Sequence, residues 1–109
     1  MDTVALVERY YDALDGHEYD ALEEILAPDF VQQRSDRRFE SREAFVRFMR
    51  DDRPNPDTRH ELEDVIDDGD RVAVRGRVVD EGEERTLFEF ADFFDLGDGN
   101  IERLETYSR

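Results

Sequence analysis

The chain has no cysteine, no tryptophan and no lysine, and its 109 residues include only three prolines and six glycines. Without cysteine there is no disulfide framework, no thiolate nucleophile and no sulfur ligand for a metal. No apolar run approaches the ~20 residues that a membrane-spanning helix requires. The opening Met1-Asp2-Thr3 lacks the basic-then-apolar pattern of a secretory leader. These absences lead to the expectation of a soluble, cytoplasmic protein without a membrane partner. The missing lysine is the most unusual of them. All 15 cationic residues are arginine, against 31 acidic ones, which gives a formal net charge of −16. Such a surface repels phosphate backbones, so nucleic acid is not an expected partner.

What is present argues against the disorder that this charge and a mean hydropathy of −0.86 would suggest by themselves. Eight Phe and four Tyr recur at regular spacings among the charges, and 109 residues are enough for one core and too few for two. The expectation is a single domain over residues 1–109. Arginine is a weakly hydrated planar fork suited to ion pairs, whereas lysine adds a long exposed apolar stem. A carboxylate-rich, lysine-free surface suits a cytosol of molar salt, where the Debye length falls to ~3 Å. The Pro54-Asn55-Pro56-Asp57 cluster is a loop, since neither half of the chain could fold alone.

Helical periodicity comes first. Val4, Val7, Tyr11 and Leu14, widened by Leu6 and Tyr10, form a stripe that Gly16 is expected to end in a left-handed conformation. Tyr19, Leu22, Ile25 and Leu26 form a second, shorter stripe, with Pro28 as its stop. Phe30-Val31-Gln32-Gln33 reads as a short strand. Ser41 caps a third helix that places Ala44, Phe45, Phe48 and Met49 on one face, and Pro54 and Pro56 forbid its continuation. From Thr58 the period becomes two. His60 and Leu62 share a face until the pattern slips at Asp64-Val65-Ile66, which indicates a bulge. Asp67-Asp68-Gly69-Asp70, Asp80-Glu81-Gly82-Glu83 and Gly97-Asp98-Gly99 have turn compositions. Between them Val72, Val74, Gly76 and Val78 alternate with Ala73, Arg75, Arg77 and Val79. Phe88, Phe90, Asp92, Phe94 and Leu96 then share one face, followed by Ile101, Leu104 and Tyr107. Helices followed by an antiparallel meander with one apolar face define an α+β fold.

This order, with Tyr11-Asp12-Ala13-Leu14 through Ala27-Pro28-Asp29-Phe30, the helix entry Glu40-Ser41-Arg42-Glu43-Ala44-Phe45, and Asp98-Gly99-Asn100-Ile101, resembles the nuclear transport factor 2-like superfamily over essentially the whole chain. The nearest flavour is SnoaL-like, related to polyketide cyclases and ketosteroid isomerase. The resemblance implies an NTF2-like cone, with N-terminal helices packed on a strongly curved, mostly antiparallel sheet around a pocket, and a homodimer through the outer sheet face. Such a fold hosts isomerases, cyclases, dehydratases, hydrolases and non-catalytic modules, so it names no single reaction. Laid against ketosteroid isomerase, Tyr10 falls at the tyrosine of the oxyanion hole and Asp92 at its protonated aspartic acid. The position of the general base is occupied by Arg34, with Asp36 two residues on as a substitute.

A carboxylic acid donates a hydrogen bond at neutral pH only if burial keeps it protonated, for which ketosteroid isomerase is a known example. Asp92 among Phe88, Phe90 and Phe94 is so placed. A structural role remains the alternative, with Asp92 bonded to Tyr10, Tyr107 or His60. The tentative catalytic set is Asp92, Tyr10 and His60, with His60 or Asp36 as base. The expected pocket lining is Tyr11, Phe30, Arg34, Phe45, Phe48, Met49, Val74, Phe88, Phe90, Phe94 and Tyr107. Gly76 either enlarges the pocket or admits Phe90. Arg75 and Arg77 are expected on the outer face, free to pair across a dimer, and His17 is expected to be solvated. Two distant histidines make no metal set, the Asp67–Asp70 run lacks the downstream Glu of a calcium loop, and no phosphate-cradling loop or nucleophile elbow occurs. No cofactor is expected. The leading functional reading is a protein that binds a small apolar molecule, with proton-transfer or hydration chemistry on a carbonyl compound. Its rival is a non-catalytic dimeric scaffold or stress-related module with a vestigial cavity.

The salt reading is checked by thermal denaturation. The melting temperature is expected to rise steadily from low to molar potassium chloride as screening relieves repulsion among the 31 carboxylates. A flat response would remove the argument from the missing lysine.

Overall fold

The computed structural model describes residues 2–109. Helix α1 (Thr3–Asp15) opens on Asp2, whose carboxylate accepts the Ala5 N–H at 2.7 Å. Its buried stripe is Leu6, Val7, Tyr10, Tyr11, Ala13 and Leu14, so both adjacent tyrosines turn inward. The helix closes in a Schellman motif, with Glu18 N–H on the Ala13 carbonyl at 2.9 Å and His17 N–H on that of Leu14 at 3.4 Å. The left-handed residue is His17 (φ 55°), whereas Gly16 has φ −90°. The helix runs through Asp15, one residue beyond the periodic stripe, which moves the left-handed position past the glycine. His17 is exposed yet bonded, with Nε2 2.8 Å from the Pro56 carbonyl oxygen.

Helix α2 (Tyr19–Ile25) passes directly into strand β1 (Leu26–Gln33). Pro28 therefore does not stop the helix; it lies inside the strand. It falls where the ladder with the last strand breaks between Leu26 and Val31, a place where a residue without an N–H costs no regular hydrogen bond. A two-residue strand β2 (Arg38–Phe39), with no clear sequence signal, pairs with Gln32 and Gln33. Ser41 caps α3 (Arg42–Arg47) as expected, its Oγ accepting the Ala44 N–H at 3.1 Å. The helix then widens into a π-type turn over Phe48–Asp52, a form often found at functional sites.

Strands β3 (Thr58–Asp68), β4 (Arg71–Asp80), β5 (Arg85–Gly97) and β6 (Asn100–Ser108) complete a six-stranded sheet in the order β2-β1-β6-β5-β4-β3. Only the β1–β6 pair is parallel. The sheet is curved but not closed, and the helices pack on its concave face, which makes the fold α+β. Three one-residue bulges bend it, at Glu63, Leu87 and Glu102. The first is one residue before the slip read from the sequence. Val79, expected on the outer face, is buried next to the second. Gly76 sits beside the first bulge. A Cβ there would run into the Glu61 carbonyl and press on the Phe90 ring at 3.0 Å, so the missing side chain admits its neighbours and opens no space. The β5–β6 turn holds Asp98 and Gly99 at φ 52° and 78°, the two positive values of a type I′ hairpin.

The inward row of β5 divides the interior. Leu96, Phe94, Asp92 and Phe90 are all buried, and Phe88 is 42% exposed. From Phe94 toward Leu96 the space is solid, filled by Leu22, Leu26, Phe30, Phe45, Val72, Val74, Ile101 and Leu104. From Asp92 toward Phe88 it opens into a cavity. Asp92 is the boundary.

Candidate functional site

The cavity has a volume of about 610 Å³, in the range of small-molecule sites. Its floor comes from α1 (Tyr10, Leu14) and β5 (Phe90, Asp92). Its walls come from the end of β1 and the following loop (Gln32, Arg34, Asp36, Arg37), the π-type turn and its exit (Phe48, Met49, Arg53), and β3 (Thr58, His60). Of the residues expected at the site, Tyr10, Arg34, Asp36, Phe48, Met49, His60, Phe88, Phe90 and Asp92 meet there. Tyr11, Phe30, Phe45, Val74 and Phe94 do not line it; they are core beneath its floor. Periodicity gives a face but not the depth along it. Tyr107 lies outside altogether, 54% exposed on the other sheet face, where its hydroxyl donates to Glu105 at 2.9 Å.

Asp92 is 5% exposed, and both carboxylate oxygens are engaged. Tyr11 donates to Oδ2 at 2.6 Å and Thr106 to Oδ1 at 2.7 Å. The chain continues outward, as Gln32 Nε2 donates to Thr106 Oγ1 at 2.9 Å and Arg34 Nε donates to Gln32 Oε1 at 3.1 Å. None of the partners read from the sequence for Asp92 (Tyr10, Tyr107 or His60) makes this bond. The cause is geometric. Successive helical residues point about 100° apart, and the docking angle of α1 aims the second tyrosine at the carboxylate. Burial raises the Asp92 pKa above the usual carboxylate value, against the lowering effects of the Tyr11 and Thr106 bonds and of nearby His60 and Arg34. Burial and the Asp92 charge likewise push the Tyr10 and Tyr11 phenols well above their ordinary range, so both remain proton donors.

Tyr10 is 3% exposed, lines the cavity, and makes no side-chain hydrogen bond among the described residues. Its hydroxyl opens on the cavity, where water or a ligand can satisfy it. Tyr10 packs edge-on against Tyr11 and Phe94, at 5.1 and 5.4 Å between ring centroids, which fixes its ring.

His60 is held by a residue with no sequence signal. Asp15, the last residue of α1, accepts the His60 backbone N–H on Oδ2 at 2.9 Å and faces ring Nδ1 with Oδ1 at 2.6 Å. A carboxylate only accepts, so Nδ1 carries the proton, and in a neutral ring the lone pair falls to Nε2. Such a pair, a histidine oriented by a carboxylate, is the arrangement of a general base. Asp36, the other base suggested by position, is exposed and 3.8 Å from Arg37. Arg37 in turn lies 4.5 Å over the Phe48 ring at the cavity wall. No group of acidic or histidine side chains able to hold a metal occurs among the described residues, and none of their helices is long and apolar enough to cross a membrane.

Comparison with known proteins agrees with this architecture. The family model described as a SnoaL-like domain matches residues 7–104. No curated protein matches the chain. Among solved structures, a candidate ketosteroid isomerase from Kribbella flavida superposes with a TM-score of 0.84 at 20% identity, covering 96% of this chain and 76% of that one. A candidate polyketide cyclase from Sinorhizobium meliloti gives 0.80 at 28% identity, covering 94% and 93%. An LEH-like epoxide hydrolase from M. tuberculosis gives 0.78 at 18% identity, covering 96% and 80%.

The raised Asp92 pKa has a consequence for stability. Between the unfolded carboxyl value of about 3.9 and the elevated folded value, the native chain binds the proton more tightly than the unfolded one. The contribution is therefore fully present below the lower value and is lost as pH rises through the upper one. Asp92→Asn cannot titrate. The melting temperature of the wild type minus that of the variant is expected to be most positive in acid, to fall as pH rises, and then to level off. A difference that grows with pH would mean that the Tyr11 and Thr106 bonds outweigh burial.

Proposed function

We propose, from the premise that this chain belongs to the SnoaL-like domain family, that its cavity binds a small, mainly apolar carbonyl compound and moves a proton on it. The observation that carries the reading is the Tyr10 hydroxyl, without a side-chain partner among the described residues and in one cavity with a histidine whose tautomer Asp15 sets. In this reading Tyr10 donates to the carbonyl oxygen as negative charge develops on it, and His60 accepts the proton from the adjacent carbon. Asp92, drawn toward its neutral form, adds a second donor when protonated and otherwise holds Tyr11 and Thr106 in place. An aromatic wall that shields the site from water strengthens each of these interactions. A solidly packed interior would have favoured the scaffold reading, and the open cavity speaks against it.

The assembly that accompanies this reading is a homodimer through the outer sheet face. Phe93 and Tyr107 stand exposed there in an edge-to-face pair at 5.9 Å. Arg75 and Arg77 do not await a partner chain for their ion pairs. They bond Asp64 and Glu61 of their own chain, at 2.7 and 2.8 Å.

Deuterium exchange at the carbon beside the carbonyl of 2-tetralone, followed by NMR in heavy water, tests the chemistry. The wild type is expected to accelerate exchange, and His60→Gln and Tyr10→Phe each to reduce it by about 10²-fold. Wild-type exchange no faster than buffer removes the catalytic half of the reading. Unshifted amide signals of Thr58, His60 and Asp92 on titration remove the binding half as well. Translational diffusion of the same samples is expected at twice the 12.9 kDa mass of the chain; diffusion as a single chain removes the dimer.

A further inference from the structure

Carboxylates outnumber arginines 31 to 15 in this chain, so an arginine has every opportunity to find an acidic partner. All but three do, within 4.0 Å. The exceptions among the described residues are Arg34, Arg47 and Arg53. Arg47 is exposed on α3 and lies outside the cavity. Arg34 and Arg53 both line the cavity.

Neither cavity arginine is loose. Arg34 is held through Nε on Gln32, and its guanidinium carbon lies 5.7 Å over the Phe39 ring and 5.9 Å over that of Phe48. Its two terminal nitrogens donate to nothing in the described residues. Arg53 donates through Nη2 to the Tyr19 hydroxyl at 3.0 Å, and that hydroxyl donates to the Met49 carbonyl at 3.3 Å. Its Nε is buried without any acceptor. Both guanidinium charges act on the Tyr10 phenol against the upward pull of burial, and all three side chains line the same cavity.

Among the lining side chains, three arginines face two aspartates. His60 is held by Asp15, and Asp36 faces Arg37. What is left is two arginines against one buried carboxylate that accepts two hydroxyl hydrogen bonds of its own. A chain of net charge −16 thus encloses a pocket with surplus positive charge. A buried donor with no acceptor, as at Arg53 Nε, costs free energy that an ionised acceptor would recover.

We propose that the cavity takes an organic carboxylate, with Arg34 and Arg53 binding its oxygens and Phe48, Phe88 and Phe90 receiving its apolar body. The proposal rests on the binding role given to the cavity above and adds the class of compound: a carbonyl compound that also carries an acid group. A bare inorganic anion would occupy little of the 610 Å³ and leave the aromatic wall uncovered. The planar arginine fork fits a carboxylate through two parallel hydrogen bonds. The acidic exterior opposes approach only over a Debye length, about 10 Å at 0.1 M salt. It slows entry without cancelling the local pairing.

The test compares 2-naphthoate with 2-naphthamide, which share shape and apolar area and differ in charge. Affinity is measured by calorimetry and the site located from backbone amide shifts. The acid is expected to bind the wild type at least about tenfold more tightly. Arg34→Gln and Arg53→Gln are each expected to lose most of that preference while amide affinity holds within about twofold. Arg47→Gln, equally unpaired but outside the cavity, is expected to keep it. Equal affinity of acid and amide for the wild type overturns this proposal and leaves the cavity a binding site. A preference that survives in both cavity-arginine variants overturns the assignment of those residues. No shift of cavity signals with either compound at millimolar concentration overturns both the proposal and the reading beneath it. The wild-type comparison decides the matter even if a variant folds poorly.

Discussion

The buried carboxylate of Asp92 is the constraint on which the interior is organised. An ionisable group at 5% exposure is tolerated only when its oxygens are engaged. Those engagements tie together elements distant in sequence: α1 through Tyr11, β6 through Thr106, β1 through Gln32, and the cavity wall through Arg34. The network lies where packed core gives way to open cavity. On one side, Phe94 and its neighbours exclude water. On the other, the bulged, curved sheet leaves a hollow lined by aromatic rings together with polar and charged side chains.

The electrostatics of the molecule invert between outside and inside. On the surface, arginines are consumed by neighbouring carboxylates, as where Arg59 bridges Glu61 and Glu84 and lowers both of their pKa values. Exposed pairs of this kind contribute little stability individually, but they leave few free cations. Inside, two arginines are spared that fate because a strand end and the exit of a π-type turn place them beyond reach of acidic side chains. The unpaired phenol of Tyr10, the oriented imidazole of His60 and these guanidinium groups line one cavity. A fold shared with structures named for isomerase, cyclase and epoxide hydrolase functions supplies the hollow. The side chains inside decide what enters it.

Much of this was legible beforehand, and the exceptions share a cause. The Ser41 cap and the β5 row from Phe88 to Leu96 could be read because each depends on a few consecutive residues. Gly16 was given a left-handed role that fell to His17 because one more helical residue formed. Pro28 was taken as a helix stop, but an irregularity in the parallel ladder absorbs it within β1. Tyr10 was paired with Asp92 by position, whereas the docking of α1 assigned that bond to Tyr11. Tyr107 kept its place in the strand but lies on the outer face, because the Glu102 bulge shifts the alternation of β6. Asp15 left no trace, since an acidic residue at a helix end is ordinary in so acidic a chain.

The sequence by itself determined the order of the helices and long strands, the acidic exterior and the presence of an aromatic interior, because periods of 3.6 and 2 and the chemistry of turns are local. The tertiary structure alone decided which tyrosine holds the buried carboxylate, which aspartate orients the histidine and which arginines remain unpaired. Those outcomes depend on helix rotation, bulge position and strand register, and each is settled by packing between segments far apart in the chain. A displacement of one residue in any of them exchanges a core side chain for one that faces the cavity or solvent.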